Sequence, residues 1–150
     1  MSETCNFSRE KAEMNYTPPL PFVTWNIKAA AHTYDPEVRV NEMVDSYLAC
    51  ARMVETQDDE DWAGLEWADG SRNLAWFECC AFLRLARWDI NGWSMAQLGE
   101  NLWLTRNGHG SGFWDKDFGI EVSRNKLTAL AHTLSESYVS AYDNKLYLEL

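Results

Sequence analysis

The residue types best suited to chemistry crowd into one stretch, Leu102–Asp117, which reads LWLTRNGHGSGFWDKD. His109 has the spacing of a general base oriented by Asp115 or Asp117, because a carboxylate holding one ring nitrogen prepares the other to take a proton. Arg106 suits a carboxylate or phosphate ligand, since its planar guanidinium donates to such groups in pairs. Arg106, Asn107, His109, Ser111, Trp114 and Asp115 therefore form a candidate ligand loop. Ser111 lies in no strand-to-helix elbow, so no activated-nucleophile pattern surrounds it. Gly108, Gly110 and Gly112 resemble a phosphate cradle, but such cradles lead from a strand into a helix N-terminus. Here the glycines follow a helix and meet the negative end of its dipole, which disfavours an anion. Their expected role is to let the backbone fold tightly beneath Trp103, Phe113 and Trp114. No residue is assigned a catalytic role, and a non-enzymatic protein without cofactor is the expectation.

The second chemical feature is charge. Thirteen basic and 23 acidic side chains give a net −10 over 150 residues. Residues 35–69 hold eleven acids against Arg39 and Arg52, a local balance of −9. A field of that sign repels nucleic acid and anionic membranes and attracts basic surfaces. Glu37, Glu42, Asp45, Asp58, Asp59, Glu60, Asp61, Glu66 and Asp69 make the expected partner-binding face. Trp62 and Trp67 interleave with these acids, either as interface anchors or as pins that hold the acidic loop to the body.

These residues must be positioned by the rest of the chain. A 150-residue chain fits one domain. No apolar run approaches the ~20 residues of a membrane span, so a soluble, cytoplasmic protein is expected. Cys5, Cys50, Cys79 and Cys80 show no metal-ligand spacing with the three histidines, so free thiols and no metal are expected. Residues 1–20 read as a flexible N-terminal segment and 21–150 as a single globular domain, with a short strand at Phe22–Ile27.

Asp35-Pro36-Glu37 starts a helix, along which Val40, Met43, Val44, Tyr47, Leu48, Ala51 and Val54 recur on one face. Residues 56–70 read as an acidic loop. Ser71 is the expected cap of a second helix, Leu74–Trp88, apolar over most of its circumference and hence the expected central helix. Ser94-x-x-Gln97 is a capping box that opens a third helix running to Arg106. Gly99 in its middle marks a close helix–helix approach, and Asn107-Gly108 ends it in the left-handed conformation. A fourth helix is expected over Ser123–Ser135. A β-hairpin follows, Tyr138–Tyr142 and Lys145–Leu150 around Asp143-Asn144. The fold class is α+β: a mostly α-helical single domain of about four helices with a C-terminal hairpin.

The run Gln97–Lys116, QLGENLWLTRNGHGSGFWDK, resembles a block shared by small proteins of tailed bacteriophages and prophages, whose chains also close on a Tyr-rich segment similar to Tyr138–Tyr147. The resemblance covers about a fifth of the chain. Leu102 stands where that family carries an aromatic residue, and Glu100 stands where histidine is expected, which counts against a two-histidine site. The resemblance implies a phage context and names no reaction. With the charge, it leads to the expectation of a phage-encoded acidic inhibitor of a host nucleic-acid-handling or defence machine, of anti-restriction or anti-CRISPR type. Carboxylates spaced along a helix rising ~1.5 Å per residue would imitate duplex phosphates spaced ~1.7 Å along the axis. The expected partner is a host protein with a basic nucleic-acid-binding surface; direct contact with nucleic acid or membrane is not expected. The alternative is a small enzyme or anionic-ligand-binding protein that uses the Arg106–Asp115 loop.

Overall fold

The computed structural model describes residues 36–58, 60–117 and 119–150, with side chains from Arg39 onward. The expected strand at Phe22–Ile27 and the segment 1–20 lie outside these residues, as do the side chains of Glu37 and Asp59. Five helices and a three-stranded sheet are seen among the described residues. They are α1 (Pro36–Glu55), the single turn α2 (Glu60–Ala63), α3 (Asp69–Ala86), α4 (Met95–Arg106) and α5 (Glu121–His132). The strands are β1 (Glu66–Trp67), β2 (Tyr138–Tyr142) and β3 (Lys145–Glu149), in the order β1-β3-β2. The protein is therefore a mostly helical α+β domain. No described helix is long and apolar enough to cross a membrane.

Helix α1 follows its apolar periodicity. Val40, Met43, Val44, Tyr47, Leu48 and Ala51 are all buried, and Val54 packs at the edge of the core. Its principal partner is α4. That packing depends on Gly99, where a Cβ would lie 2.3 Å from the Met43 carbonyl oxygen and 2.8 Å from the Tyr47 amide nitrogen. Only a residue without a side chain lets the two backbones come so close. The capping box forms as expected: Ser94 Oγ accepts from the Gln97 amide at 3.0 Å and Gln97 Oε1 from the Ser94 amide at 2.9 Å.

The most buried helix is α4, not the second helix as its apolar composition suggested. In α4, Met95, Leu98, Gly99, Asn101, Leu102, Trp103, Thr105 and Arg106 are all buried. Helix α3 instead turns Phe77 and Leu85 outward, at 57 % and 54 % exposure. Apolar composition alone does not say which helix has neighbours on every side. The cap of α3 also differs: the helix starts at Asp69, and Ser71 lies inside it, buried. The Ser71 hydroxyl is committed elsewhere, accepting from the Leu148 amide in β3 at 2.9 Å.

The acidic loop at 56–70 is more structured than expected. It contains α2 and then β1, which pairs in parallel with β3 through Glu66↔Lys145 and Trp67↔Leu146. The Ala68 amide continues the ladder to the Leu146 carbonyl at 2.9 Å. Helix α5 begins two residues before its expected start and ends three before its expected end, and Ser123 within it donates to Asp89 at 2.7 Å. The hairpin has the expected register, with Asp143 and Asn144 both at positive φ, 53° and 64°. That geometry is the two-residue turn whose twist matches the strands it joins. Cys50 and Cys79 are free and buried, whereas Cys80 is disulfide-bonded, contrary to the expectation of four free thiols.

Candidate functional site

Arg106 is not a ligand-binding arginine. It closes the last turn of α4 with 3 % exposure, and its guanidinium is used up inside the fold. Nη1 donates to Tyr47 Oη of α1 at 2.7 Å and pairs with Glu78 Oε1 of α3 at 2.8 Å. Nε donates to the Ser135 carbonyl at 3.0 Å, and Nη2 donates to the same oxygen. Tyr47 Oη in turn donates to Glu78 at 3.0 Å. Burial opposes the guanidinium's charge, but Tyr47 and Glu78 outweigh it and hold the pKa above its ordinary value. Burial and then the Glu78 charge push the Tyr47 phenol well up, so it stays a neutral donor. Three helices and the segment after α5 thus meet at one charged knot. Sequence reading missed Glu78 and Tyr47; the available signal was a lone acid set among the apolar residues of α3.

The glycine loop is likewise consumed by architecture. The His109 amide reaches back to the Leu104 carbonyl at 3.0 Å and the Gly108 amide to Thr105 at 3.2 Å, the paired bonds of a Schellman helix end. Gly108 supplies the required left-handed residue at φ 72°, while Asn107, expected to share that conformation, sits at φ −102°. The Asn107 side chain ties the helix end to the sheet: it donates to the Trp103 carbonyl at 3.0 Å and accepts from the Ser137 amide at 2.8 Å. At Gly112 the backbone lies against Thr105, whose Oγ1 would be 2.3 Å from an added Cβ and accepts from the Phe113 amide at 3.0 Å. Phe113 is fully buried, stacked on Phe82 at 5.5 Å and meeting Trp93 edge-on at 5.1 Å.

His109 pairs with Glu55 at the end of α1, Nε2 to Oε2 at 3.3 Å, not with Asp115 or Asp117. Asp115 accepts from the Gly112 amide at 3.1 Å, and Lys116 reaches both Ser111 and Asp115 at 3.1 Å. Of the proposed ligand loop, Trp114 is the large side chain left open, at 49 % exposure. Replacing Gly108 with valine should lower the melting temperature by several degrees, a loss of roughly 1–2 kcal/mol, because a β-branched residue is a steric outlier at that φ. An unchanged thermal unfolding curve would contradict the Schellman end.

The Asp115 contact has a pH signature. The Gly112 hydrogen bond first, and then Lys116, lower its pKa from 3.8. A carboxyl ionised more easily in the fold than in the unfolded chain adds stability that is whole above its unfolded value. That stability is lost as the pH falls through the lower folded value. The stability gap between wild type and Asp115→Asn should therefore be constant near neutrality and narrow in acid, below about pH 4. Urea unfolding at stepped pH checks this, and a gap that stays level from neutrality down to about pH 2 would contradict it.

The acidic residues occupy the surface. Glu42, Asp45, Asp58, Glu60, Asp61, Glu66 and Asp69 are all exposed. They belong to α1, to the α1–α2 turn, to α2, to β1 and to the start of α3, so they do not run along one helix. Asp45 is paired with Arg72 at 2.7 Å. Arg52 turns toward the body, donating to the Ala63 carbonyl at 2.8 Å and lying 5.9 Å over the Trp67 ring. Trp62 and Trp67 are half-buried against the core. Of the two roles left open for these rings, they take the pinning one. The described residues contain no cluster of three metal-ligating side chains. Comparison with family models, with curated proteins and with solved structures finds no match to this chain.

Proposed function

We propose that the chain is a non-enzymatic binding protein that presents the acidic surface between Glu42 and Asp69 to a basic, nucleic-acid-binding surface of a host protein. The observation that carries this reading is a contrast. Seven acidic side chains of this segment face solvent, while the one arginine suited to an anionic ligand is locked inside the fold. Exposed like charges cost self-repulsion and gain little stability, and beyond the Asp45–Arg72 pair and the helix-start positions of Glu60, Asp61 and Asp69 the fold gives little reason for so many. Occupying a groove shaped for phosphates supplies one. Because the carboxylates come from several short elements pinned by Trp62 and Trp67, the surface is a patch and not a single helical row. A phage protein acting on host restriction or CRISPR machinery is the setting that the Gln97–Lys116 block favours, and the bacterial cytoplasm is where it would act.

The test uses Glu42→Gln, Asp58→Asn, Glu60→Gln and Glu66→Gln together, which remove four charges while nearly preserving shape. A partner captured from host lysate by the wild type should be released by duplex DNA and by raising salt, since the Debye length falls from about 10 Å at ~0.1 M to about 3 Å at ~1 M. The four-amide variant should associate more slowly and show a shallower salt dependence, as charges at an interface rim act mainly on the encounter rate. A captured partner indifferent to DNA, or bound by the variant with the wild-type rate and salt slope, would defeat phosphate mimicry. No observation favours the ligand-loop alternative, now that Arg106 and Asn107 are committed to the fold.

A further inference from the structure

The sheet ends on an edge that is unusually ready to pair. Strand β2 has β3 on one side and no strand of the described residues on the other. Its sequence, Tyr-Val-Ser-Ala-Tyr, carries no charge and no proline, and its five-residue register with β3 is unbroken by a bulge. Charges, prolines and bulges are the usual devices that protect an edge from pairing.

Which backbone groups face outward follows from bonds at the far side of β3. The Leu146 carbonyl accepts from Ala68, and the Leu148 amide donates to Ser71, so both residues point their polar groups away from β2. Their partners Ala141 and Val139 are therefore the non-hydrogen-bonded pairs of the hairpin. The N–H and C=O groups of Val139 and Ala141 point away from β3, to the side of β2 on which no described strand lies.

We propose that β2 pairs antiparallel with β2 of a second copy of this chain, across a two-fold axis at Ser140, joining two three-stranded sheets into one. The strand is self-complementary about that residue. With Ser140 opposite its own copy, Val139 and Ala141 fall opposite each other and exchange bonds through their outward backbone groups. Tyr138 then falls opposite Tyr142 of the second copy. Both tyrosines are exposed, and cross-strand aromatic pairs are among the favourable ones. Glu149 beside Tyr138 and Lys145 beside Tyr142 end each such row in opposite charges. A closed two-fold contact of this kind uses one patch twice and stops at two copies.

Charge supports the same axis. Strand β1, which carries Glu66, is at the opposite edge of the sheet from β2. Pairing through β2 sets the two β1 strands about 24 Å apart, five spacings of ~4.8 Å, well beyond the Debye length at physiological salt. Five residues per copy bury less than the ~1,200 Å² of a stable interface, so the dimer is weak, with a dissociation constant on the order of 0.1 to 1 mM. Its net repulsion makes it tighten with added salt, opposite to the behaviour expected of the acidic patch with a basic partner.

Amide hydrogen exchange of the full chain by NMR, at about 20 μM and at about 1 mM, bracketing that range, together with sedimentation equilibrium, tests this without any partner. The expected result is a monomer–dimer equilibrium in which Val139 and Ala141 amides exchange fast when dilute and become protected when concentrated. Ala141→Pro removes one of the two outward amides without touching a bond to β3 and should weaken association at least about tenfold, with an unchanged melting curve confirming its fold. A monomer throughout the range overturns the proposal. So do a dimer that leaves the Val139 and Ala141 amides unprotected, amides already protected when dilute, or a folded Ala141→Pro that dimerises like the wild type.

Discussion

Gly99→Val should be the most damaging single change away from the charged knot, with a loss of about 3 kcal/mol or more and a fall in melting temperature on the order of 10 °C for a domain of this size. The cause is specific. An added Cβ meets backbone atoms of α1 at Met43 and Tyr47, not the ends of flexible side chains. Backbone cannot rotate out of the way, so α1 and α4 must separate. Separation would loosen the edge-on contact of Tyr47 with Trp103, now 5.3 Å between ring centres. Gly99→Ala should show the same direction to a smaller degree. Calorimetry decides it: a Gly99→Val protein melting within a degree or two of wild type would mean that the two helices do not cross at this residue.

Arg106→Met should cost about 3–5 kcal/mol, because it strands Glu78 and Tyr47 without the cation that justifies their burial. The informative measurement is the double variant with Glu78→Gln. If the penalty is mainly an orphaned carboxylate, removing that charge should recover a substantial part of the loss, as coupling within a contacting pair predicts. Strictly additive losses would show that the pair is not coupled. The same result bears on function: loss of activity in an Arg106 variant would report unfolding, so Arg106 cannot serve as a probe of a ligand site.

Helices were legible in the sequence where periodicity and capping agreed. The 3.6-residue stripe from Val40 to Val54 and the Ser94–Gln97 box each state a local physical requirement, and each element formed with its expected face inward. The hairpin was legible for the same reason, since Asp143-Asn144 is suited to a turn with two positive φ values. What escaped was non-local. Ser71 is a competent cap by type, but its hydroxyl is claimed by Leu148, 77 residues away. Strand β1 is two residues long and exists because β3 lies beside it. In the candidate loop, residue types suggested a ligand for Arg106; only the placement of Tyr47, Glu78 and Ser135 around it revealed an internal role. The acidic surface was legible as charge, and its division among short elements was not.

The parallel pairing of β1 with β3 sets an order on how the molecule is made. Residues 66 and 67 leave the ribosome with no strand to join, and their partners, Lys145 and Leu146, follow 79 residues later. Contacts of such sequence separation are late in folding, because the intervening chain must be closed before they form. During synthesis, then, α1 and α4 can associate while the acidic segment still lacks its anchor on the sheet. A chain that cannot form β3 would keep its helices and leave its acidic patch unfastened. Strand β3 thereby acts as the step that fixes the acidic segment in its final shape.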